Sequence, residues 1–305
     1  MATITPPTTS AGRPAAGTTT SPGARRRRRK SGRALVGQIA TIAGAVALVS
    51  FSVFPLLWMF ITSVKPDSEI LTSAPVLWPS SWQWSRYGEV IDRGFGDALV
   101  NSLIVTLTVT LLGIVVAAFA GYAFARTHVP LKRWLLLVVL ATQMFPVVVM
   151  IIPLFTVMRS LGLLDNLVGL VVSYLSFTTP LAIWILRGFF RGIPVDVEEA
   201  AWVDGATRFQ AMWRVVMPMA GPGIAAAAIF VFIAAWNEFL FALTFVKDEA
   251  RQTLPVALQS FVGRASTDYG GIMAFSVLFT LPVVIFFLFL HTRLTDGMVA
   301  GAFKG

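Results

Sequence analysis

Six long apolar stretches, separated by polar segments, constrain this chain more than any other feature. Each is long enough to cross roughly 30 Å of hydrocarbon as an α-helix. Only 13% of the 305 residues are charged, about half the share in a soluble domain. The sequence therefore predicts an all-α, polytopic membrane protein with six transmembrane helices. The predicted spans are Gly37–Val64, Asp97–Ala125, Lys132–Met158, Asp165–Phe190, Gly221–Val246 and Gly270–Arg293.

Small residues and prolines inside these spans predict how the helices pack. Four small residues recur every fourth position in the second span, which lets another helix approach closely: Gly113, Ala117, Gly121 and Ala125. Prolines inside spans predict kinks whose freed backbone groups bind neighbouring helices: Pro55, Pro146, Pro153, Pro180 and Pro282.

Residues 1–33 differ in composition from the rest of the chain. They are rich in Thr, Pro, Ser, Gly and Ala and end in the basic run Arg25–Lys30. Because they cannot form a core, we predict a disordered basic cytoplasmic tail, with a membrane domain over residues 34–305. With the N-terminus inside, 17 of the 24 Lys and Arg residues lie on the cytoplasmic side, as the positive-inside rule requires. Both termini are therefore predicted to be cytoplasmic, and no nucleic-acid partner is expected.

The chain contains no recognisable catalytic set. It has no phosphate-binding glycine-rich loop with its lysine and no Ser/His/Asp arrangement. The two histidines, His128 and His291, are far apart and there is no cysteine, so no metal site is predicted. We expect no enzymatic activity and no cofactor in this chain. The energy for any transport must come from a partner or from an ion gradient.

The polar segment at about residues 191–220 is the most informative interruption. Asp196 and Glu199 have the spacing of a capping box, and Thr207 and Gln210 repeat it. Gly205 stands between them, where a helix end favours a left-handed residue. The pattern predicts two short helices joined by a hinge.

The second of these helices is predicted to have one apolar stripe and a sharp end. Phe209, Met212, Trp213 and Val216 follow helical spacing, and Pro218 is predicted to end the helix. The segment resembles a unit that docks onto a partner outside the membrane. The alternative is that its polar residues only cap and end helices, and both roles are compatible.

The same segment resembles the cytoplasmic EAA loop of ABC importer permeases. Glu199-Ala200-Ala201 is followed by Asp204, Gly205 and Pro218 at the family's spacing, while Val215 and Met217 replace the usual Ile and Leu. The resemblance implies the type I importer permease fold and contact with ATPase subunits. The residues implied in that coupling are Glu198, Glu199, Ala200, Ala201, Asp204, Gly205, Phe209, Trp213 and Pro218.

Two further stretches resemble the maltose-type (MalG-like) carbohydrate permeases. They are Trp236–Leu243 and the ending Asp296–Gly305, with Gly297, Gly301 and Lys304-Gly305 in place. The resemblance implies one permease subunit of a sugar or oligosaccharide importer in a bacterial plasma membrane. Its implied partners are a second permease, two ATP-binding subunits that carry ATP and Mg²⁺, and an extracytoplasmic solute-binding protein. Another polar solute, such as a glycerophosphodiester or a polyamine, remains an alternative cargo.

Glu238 is the clearest charge inside a predicted span. An intramembrane carboxylate is costly and marks either a function or a buried pairing. We predict that Asn237, Glu238 and, more weakly, Gln143 line a substrate path. Gln143 stands near Pro146 and could instead bind backbone groups freed there. An alternative of a different class is a secondary transporter or channel that uses Glu238 as a proton or ion site.

The polar segment between the last two spans, Thr253–Tyr269, is predicted to lie outside the cell. The maltose-type resemblance implies that it reaches into the docked binding protein. The residues predicted to make that contact are Pro255, Gln259, Gly263, Arg264 and Thr267. The alternative is a solvated connector.

Overall fold

The computed structural model describes residues 32–263 and 267–302. By its internal contacts the chain divides into two units, Met1–Ser52 and Val53–Gly305. As far as it is described, the first unit is the beginning of helix α1. Residues 1–31 of the predicted disordered tail lie outside the described residues and stay a prediction, whereas Gly32 and Arg33 belong to helix α1. The role of the ending at Lys304-Gly305 also stays a prediction.

The described residues are helical, and their only strand pairing is an isolated antiparallel bridge between Val262 and Thr267. In chain order the α-helices are α1 (Gly32–Ser63), α2 (Asp67–Ile70), α3 (Ser85–Val90), α4 (Gly96–Arg126), α5 (Lys132–Thr142), α6 (Ile151–Ser160), α7 (Leu167–Gly192), α8 (Asp196–Val203), α9 (Arg208–Ala211), α10 (Met217–Met219), α11 (Gly221–Trp236), α12 (Leu240–Phe245), α13 (Leu254–Ala257) and α14 (Tyr269–Ala302). A kink at Ile91–Phe95, in which Gly94 has φ +88°, joins α3 to α4, and a π-helical turn at Met212–Val216 joins α9 to α10. Three 3₁₀ turns are Val147–Met150, Glu249–Arg251 and Leu258–Phe261.

The predicted all-α architecture is confirmed, and the number of spans depends on how bent helices are counted. Four helical stretches are long and apolar enough to cross a membrane, and up to six if each of two bent pairs is one span. The first bent pair is Lys132–Thr142 with Val147–Ser160, which meet at 96°. The predicted span Lys132–Met158 is therefore present only as a bent pair, and the predicted kink at Pro146 is confirmed. Pro146 has no N–H to donate and stands with ψ 127° in the break, which ends the helical ladder there.

The predicted span Gly221–Val246 is also interrupted. Helix α11 ends at Trp236, and α12 begins at Leu240. Before α11, the stretch Arg208–Met219 meets it at 75°. The predicted path residues Asn237 and Glu238 therefore lie in a break between two helices, where backbone groups need partners.

Helices α4 and α7 form the centre of the core. Gly113, Ala117 and Gly121 are buried on one face of α4, which confirms the predicted small-residue stripe. A Cβ added at Gly121 would stand 3.1 Å from the backbone nitrogen of Arg187. A Cβ there would force the α7 backbone to shift by a few tenths of an ångström, so the glycine allows the close α4–α7 crossing that positions the α4 end at Arg126.

Candidate functional site

Helix α8 begins with a turn that no side chain caps. Asp196 is the first helical residue, and the predicted capping box of Asp196 with Glu199 is wrong, because neither carboxylate caps this end. The carbonyl of Val195 accepts the N–H groups of Glu198 and Glu199 at 2.8 and 3.1 Å. Ile193, before Pro194, has an extended backbone with ψ 128°, which is the usual conformation of a residue that precedes proline, so the helix begins after it.

The hinge after α8 has the predicted geometry. Gly205 has φ +87°, in the left-handed region that glycine adopts without steric cost. Its N–H donates to Trp202 O at 3.0 Å, and the next N–H donates to Ala201 O at 2.9 Å. Thr207 and Gln210 then form the predicted capping box at the start of α9. The two short helices are therefore closed by their own backbone and side chains.

Glu198 is buried and anchors α8 to the end of α4. Its side chain is 1% exposed and accepts from Arg126 Nε at 2.5 Å and from the Tyr122 hydroxyl at 2.8 Å. The other side of the Arg126 guanidinium donates to Ile193 O at 2.6 Å. Glu198 was predicted to contact a partner, and the structure instead turns it into the protein.

Arg126 and Tyr122 were missed by the sequence analysis. They stand four residues apart at the end of an apolar span, so they share one helix face. That spacing, beside an acidic segment, was the available signal. Because a buried carboxylate needs a charged partner, the three side chains form one unit that joins α4 to α8.

The exposed tip of the segment, formed by the end of α8 and the hinge, carries five of the other predicted coupling residues. Glu199, Ala200, Asp204 and Gly205 are exposed, and Ala201 is half-buried. Val203, between them, is 88% exposed. An exposed tip on an anchored support is suited to carrying a mechanical displacement from one protein to another.

The second helix has two faces where the sequence predicted one stripe. Met212 and Val216 are buried, while Phe209 and Trp213 are exposed and stacked, with ring centroids 6.5 Å apart. A residue spacing of four places each pair on its own face of the helix.

The prediction that Pro218 ends the second helix is wrong. The helical path continues to Met219 and bends at Ala220. The π-helical turn Met212–Val216 immediately precedes the proline. Such a turn is one of the ways in which a helix accommodates a residue without an N–H donor.

Glu238 and Asn237 cap helix ends in the break after α11. The Glu238 carboxylate accepts the N–H groups of Phe241 and Ala242 at 2.9 and 3.2 Å, which caps α12. The Asn237 amide donates to Ile233 O at 2.8 Å. The buried Tyr174 hydroxyl lies beside the Glu238 carboxylate but outside standard hydrogen-bond geometry. The structure thus gives Glu238 a capping role, and this role does not exclude a place in a substrate path.

Gln143 binds the backbone of another helix, and not the groups beside Pro146 that the sequence-based alternative named. Its side-chain amide donates to Phe177 O at 3.1 Å, three residues before Pro180, which interrupts the backbone ladder of α7. This bond ties the break after α5 to the kink in α7.

Replacing Glu238 by glutamine is expected to lower uptake or alter solute preference, while the protein still assembles. The amide keeps one acceptor for α12 but loses the negative charge at a helix N-terminus, which costs about 0.3–1 kcal/mol. The measurement is uptake in membrane vesicles, beside Glu238→Asp, which keeps the charge. If Glu238→Gln transports with unchanged rate and affinity, Glu238 serves only as a helix cap.

The segment Thr253–Tyr269 lies on the side of the membrane domain opposite α8. Pro255 stands in the first turn of α13, Gln259 and Gly263 are exposed, and Thr267 closes the Val262 bridge. Arg264 lies outside the described residues. Arg93 pairs with Asp268 at 3.2 Å and stands 4.7 Å from the Phe261 ring centroid. The described part of the segment is therefore folded and held at its base, with Gln259 and Gly263 exposed.

Asp165 holds the neighbouring connection on this side. Its carboxylate accepts the backbone N–H groups of Lys247 and Asp248, and these bonds lower the pKa of the carboxyl below its usual range. A carboxyl whose pKa is lowered by folding stabilises the fold at every pH above its ordinary pKa. This stabilisation is lost as the pH falls through the lowered pKa. This tie therefore operates throughout the neutral range.

Bent apolar helices with an exposed, anchored helix pair on one side are the architecture of a polytopic membrane protein. The family of binding-protein-dependent transport system inner membrane components matches residues 110–299. This chain belongs to that family.

Known relatives agree in length and fold. Trehalose transport system permease protein SugB of Mycobacterium tuberculosis is 40% identical over 262 residues, which cover 85% of this chain and 94% of that protein. Diacetylchitobiose uptake system permease protein DasC of Streptomyces coelicolor is 36% identical, over 90% of this chain and 99% of that protein. The crystal structure of a bacterial ABC transporter involved in alginate import superposes with a TM-score of 0.70 at 23% identity, over 89% of this chain and 99% of that chain.

Proposed function

We propose that this chain is one of two permease subunits of an ATP-driven bacterial importer for a sugar or oligosaccharide. The second permease, two ATP-binding subunits and an extracytoplasmic binding protein complete the assembly. The side that carries α8 faces the cytoplasm together with both termini, and ATP with Mg²⁺ binds to the partner subunits. The names of the relatives, which transport trehalose and diacetylchitobiose, support a carbohydrate cargo.

The observation that carries this proposal is the anchored tip of α8. Glu199, Ala200, Ala201, Asp204 and Gly205 form the contact with the ATP-binding subunit. Any displacement of the tip reaches α4 through the buried pair of Glu198 and Arg126. Since α4 packs on α7 through glycine and alanine, the displacement moves the core helices together. Such rigid-body motion is what alternating access requires.

The cargo path is proposed to pass the break after α11. Asn237 and Glu238 lie there, with Gln143 in the other helix break, and their polar groups can form hydrogen bonds with a hydroxylated solute. The solved alginate transporter was crystallised with a periplasmic protein that holds an alginate pentasaccharide. That observation supports a binding-protein partner for this chain as well.

The test is uptake into proteoliposomes that contain the assembled importer. Candidate sugars are first screened by the thermal shift of the binding protein, and the bound sugar is then offered with and without internal ATP. We expect accumulation only with both ATP and the binding protein. Uptake driven by an ion gradient in the absence of ATP would instead support the secondary-transporter alternative.

The tip of the segment Thr253–Tyr269 is proposed to contact the binding protein. Replacing residues 264–266 by Gly-Ser-Gly keeps the length and the Val262–Thr267 bridge. We expect nearly normal basal ATPase activity. The variant is expected to need a roughly thirtyfold higher concentration of sugar-loaded binding protein than the wild type for the same subsaturating stimulation. The reason is that one interface hot spot contributes about 2 kcal/mol to binding.

ATP hydrolysis in reconstituted membranes, with and without the binding protein, measures this effect. A matched variant, Ser80→Gly, alters an exposed polar residue of another connection on the same side and should respond like the wild type. Full stimulation of the Gly-Ser-Gly variant would show that the tip is only a connector.

A further inference from the structure

The stretch Arg208–Met219 has the geometry of a helix that lies in the membrane interface. It meets the span α11 at 75°, so it runs nearly parallel to the membrane plane when α11 crosses it. Its inner face packs through Met212 and Val216, and its outer face exposes Phe209 and Trp213. Aromatic residues on the outward face of such a helix favour the boundary between headgroups and acyl chains.

An apolar groove runs from this aromatic face along α4. Its volume is about 370 Å³, and its walls are wholly apolar. Ile114, Val115 and Phe119 of α4 form one wall, and Trp213 and Met217 form the other. Ile114 stands twelve residues before Arg126, about 18 Å along the helix. The groove therefore lies at the depth of the hydrocarbon in one leaflet.

A second cavity, with several charged and hydroxyl side chains in its wall, adjoins the groove at Phe209, which lines both. Its volume is about 330 Å³, and it is lined by Tyr122, Arg126, Thr127, Trp202 and Arg208, among others. Within the described residues Arg208 has no ion pair, and its guanidinium stands 5.5 Å from the Trp202 ring centroid.

The charges around this cavity are unequal. Glu198 is fully engaged with Arg126, so the cation of Arg208 is left without a counter-charge in the described part of the chain. An apolar channel at hydrocarbon depth thus opens into a headgroup-sized space with one excess positive charge.

We propose that this continuous groove binds an anionic phospholipid of the cytoplasmic leaflet. One acyl chain lies along Ile114–Phe119 beneath Trp213, and the phosphate-bearing headgroup lies against the Arg208 guanidinium. The lipid fills the angle between α4 and the coupling segment. Phe209 and Trp213 therefore serve as lipid contacts, and not as the ATPase contacts predicted from the sequence.

A partner protein fits this groove less well than a lipid. A water-soluble ATP-binding subunit can approach the Arg208 end but not a wall that extends from about 10 to about 18 Å inside the end of the span. A second membrane helix could cover the apolar wall, but it would leave the cation of Arg208 unmatched. Only an amphiphile with an anionic head matches both ends.

The test places a photo-reactive benzoylphenylalanine at Trp213 in the assembled importer. The complex is reconstituted in vesicles of equal parts phosphatidylglycerol and phosphatidylethanolamine, illuminated, and analysed by peptide mass spectrometry. We expect phosphatidylglycerol adducts to exceed phosphatidylethanolamine adducts about fivefold, the usual effect of one basic residue at an anionic surface.

Two variants test whether the Arg208 guanidinium selects the anionic headgroup. Arg208→Gln is expected to reduce the adduct ratio to about one, while Arg214→Gln, an exposed arginine outside the groove, keeps the wild-type ratio. Filling the apolar wall by Val115→Trp should lower both adducts several-fold. An equal ratio in the wild type, an unchanged ratio in Arg208→Gln, or cross-links to a partner subunit in place of lipid would overturn the proposal.

Discussion

Replacing Gly205 by proline is expected to abolish ATP-driven uptake while the protein remains in the membrane. Gly205 has φ +87° and donates its N–H to Trp202 O, whereas proline is fixed near −65° and has no N–H. A mismatch of about 3 kcal/mol lowers the population of the docking geometry by roughly a hundredfold. The measurement is uptake per assembled complex in proteoliposomes.

The matched control is Gly205→Asn. Asparagine tolerates the left-handed region, and a Cβ at this position meets no atom within 4 Å. We expect this variant to keep most of the activity. Normal uptake by Gly205→Pro at normal expression would show that the hinge has no part in coupling.

The companion change Glu199→Lys separates docking from helix stability. Glu199 is exposed in the first turn of α8, so reversing its charge costs the helix only about 0.3–1 kcal/mol. A loss of uptake larger than about fivefold must then come from a lost contact with the partner.

Removing the buried carboxylate, by Glu198→Ala, is expected to destabilise the protein as well as to uncouple it. The change leaves the Arg126 guanidinium, whose side chain is 10% exposed, without its counter-charge. Breaking one partner of a buried ion pair costs about 3–5 kcal/mol. Thermal unfolding of the purified complex should therefore shift downward by several degrees, and the ATPase activity should no longer drive uptake.

Two controls identify the cause of this loss. Tyr122→Phe removes one hydrogen bond to Glu198 and should cost only about 1 kcal/mol. The double variant Glu198→Gln with Arg126→Gln removes both charges and should recover part of the stability. If Glu198→Ala unfolds at the wild-type temperature, the buried pair does not hold α8 in place.

Features set by neighbouring residues could be predicted from the sequence. The Thr207–Gln210 capping box and the left-handed Gly205 depend on contacts within a few positions, and the glycine stripe of α4 depends on spacing along one helix. The apolar spans were equally visible, because burial in hydrocarbon demands long runs without charge.

Features set by distant residues could not be predicted. Glu198 and Glu199 are equivalent as neighbours in sequence, and only the pairing of Glu198 with Arg126, 72 residues away, decides which one is buried. The break at Gln143–Pro146 is similar, because Gln143 binds a carbonyl 34 residues away, near the kink at Pro180. Proline signalled that the helix would be disturbed, but not that it would turn by 96°.

The most direct measurement of the central claim uses single cysteines, since the chain has none of its own. Val203, at the tip of α8, and Leu71, on the opposite side, are both highly exposed, so each can be replaced by cysteine with little effect on packing. In the assembled importer, a short thiol-to-amine cross-linker is predicted to join Val203→Cys, and not Leu71→Cys, to the ATP-binding subunit. The yield should change when ATP is added. Cross-linking of Leu71→Cys but not of Val203→Cys to that subunit would contradict the account.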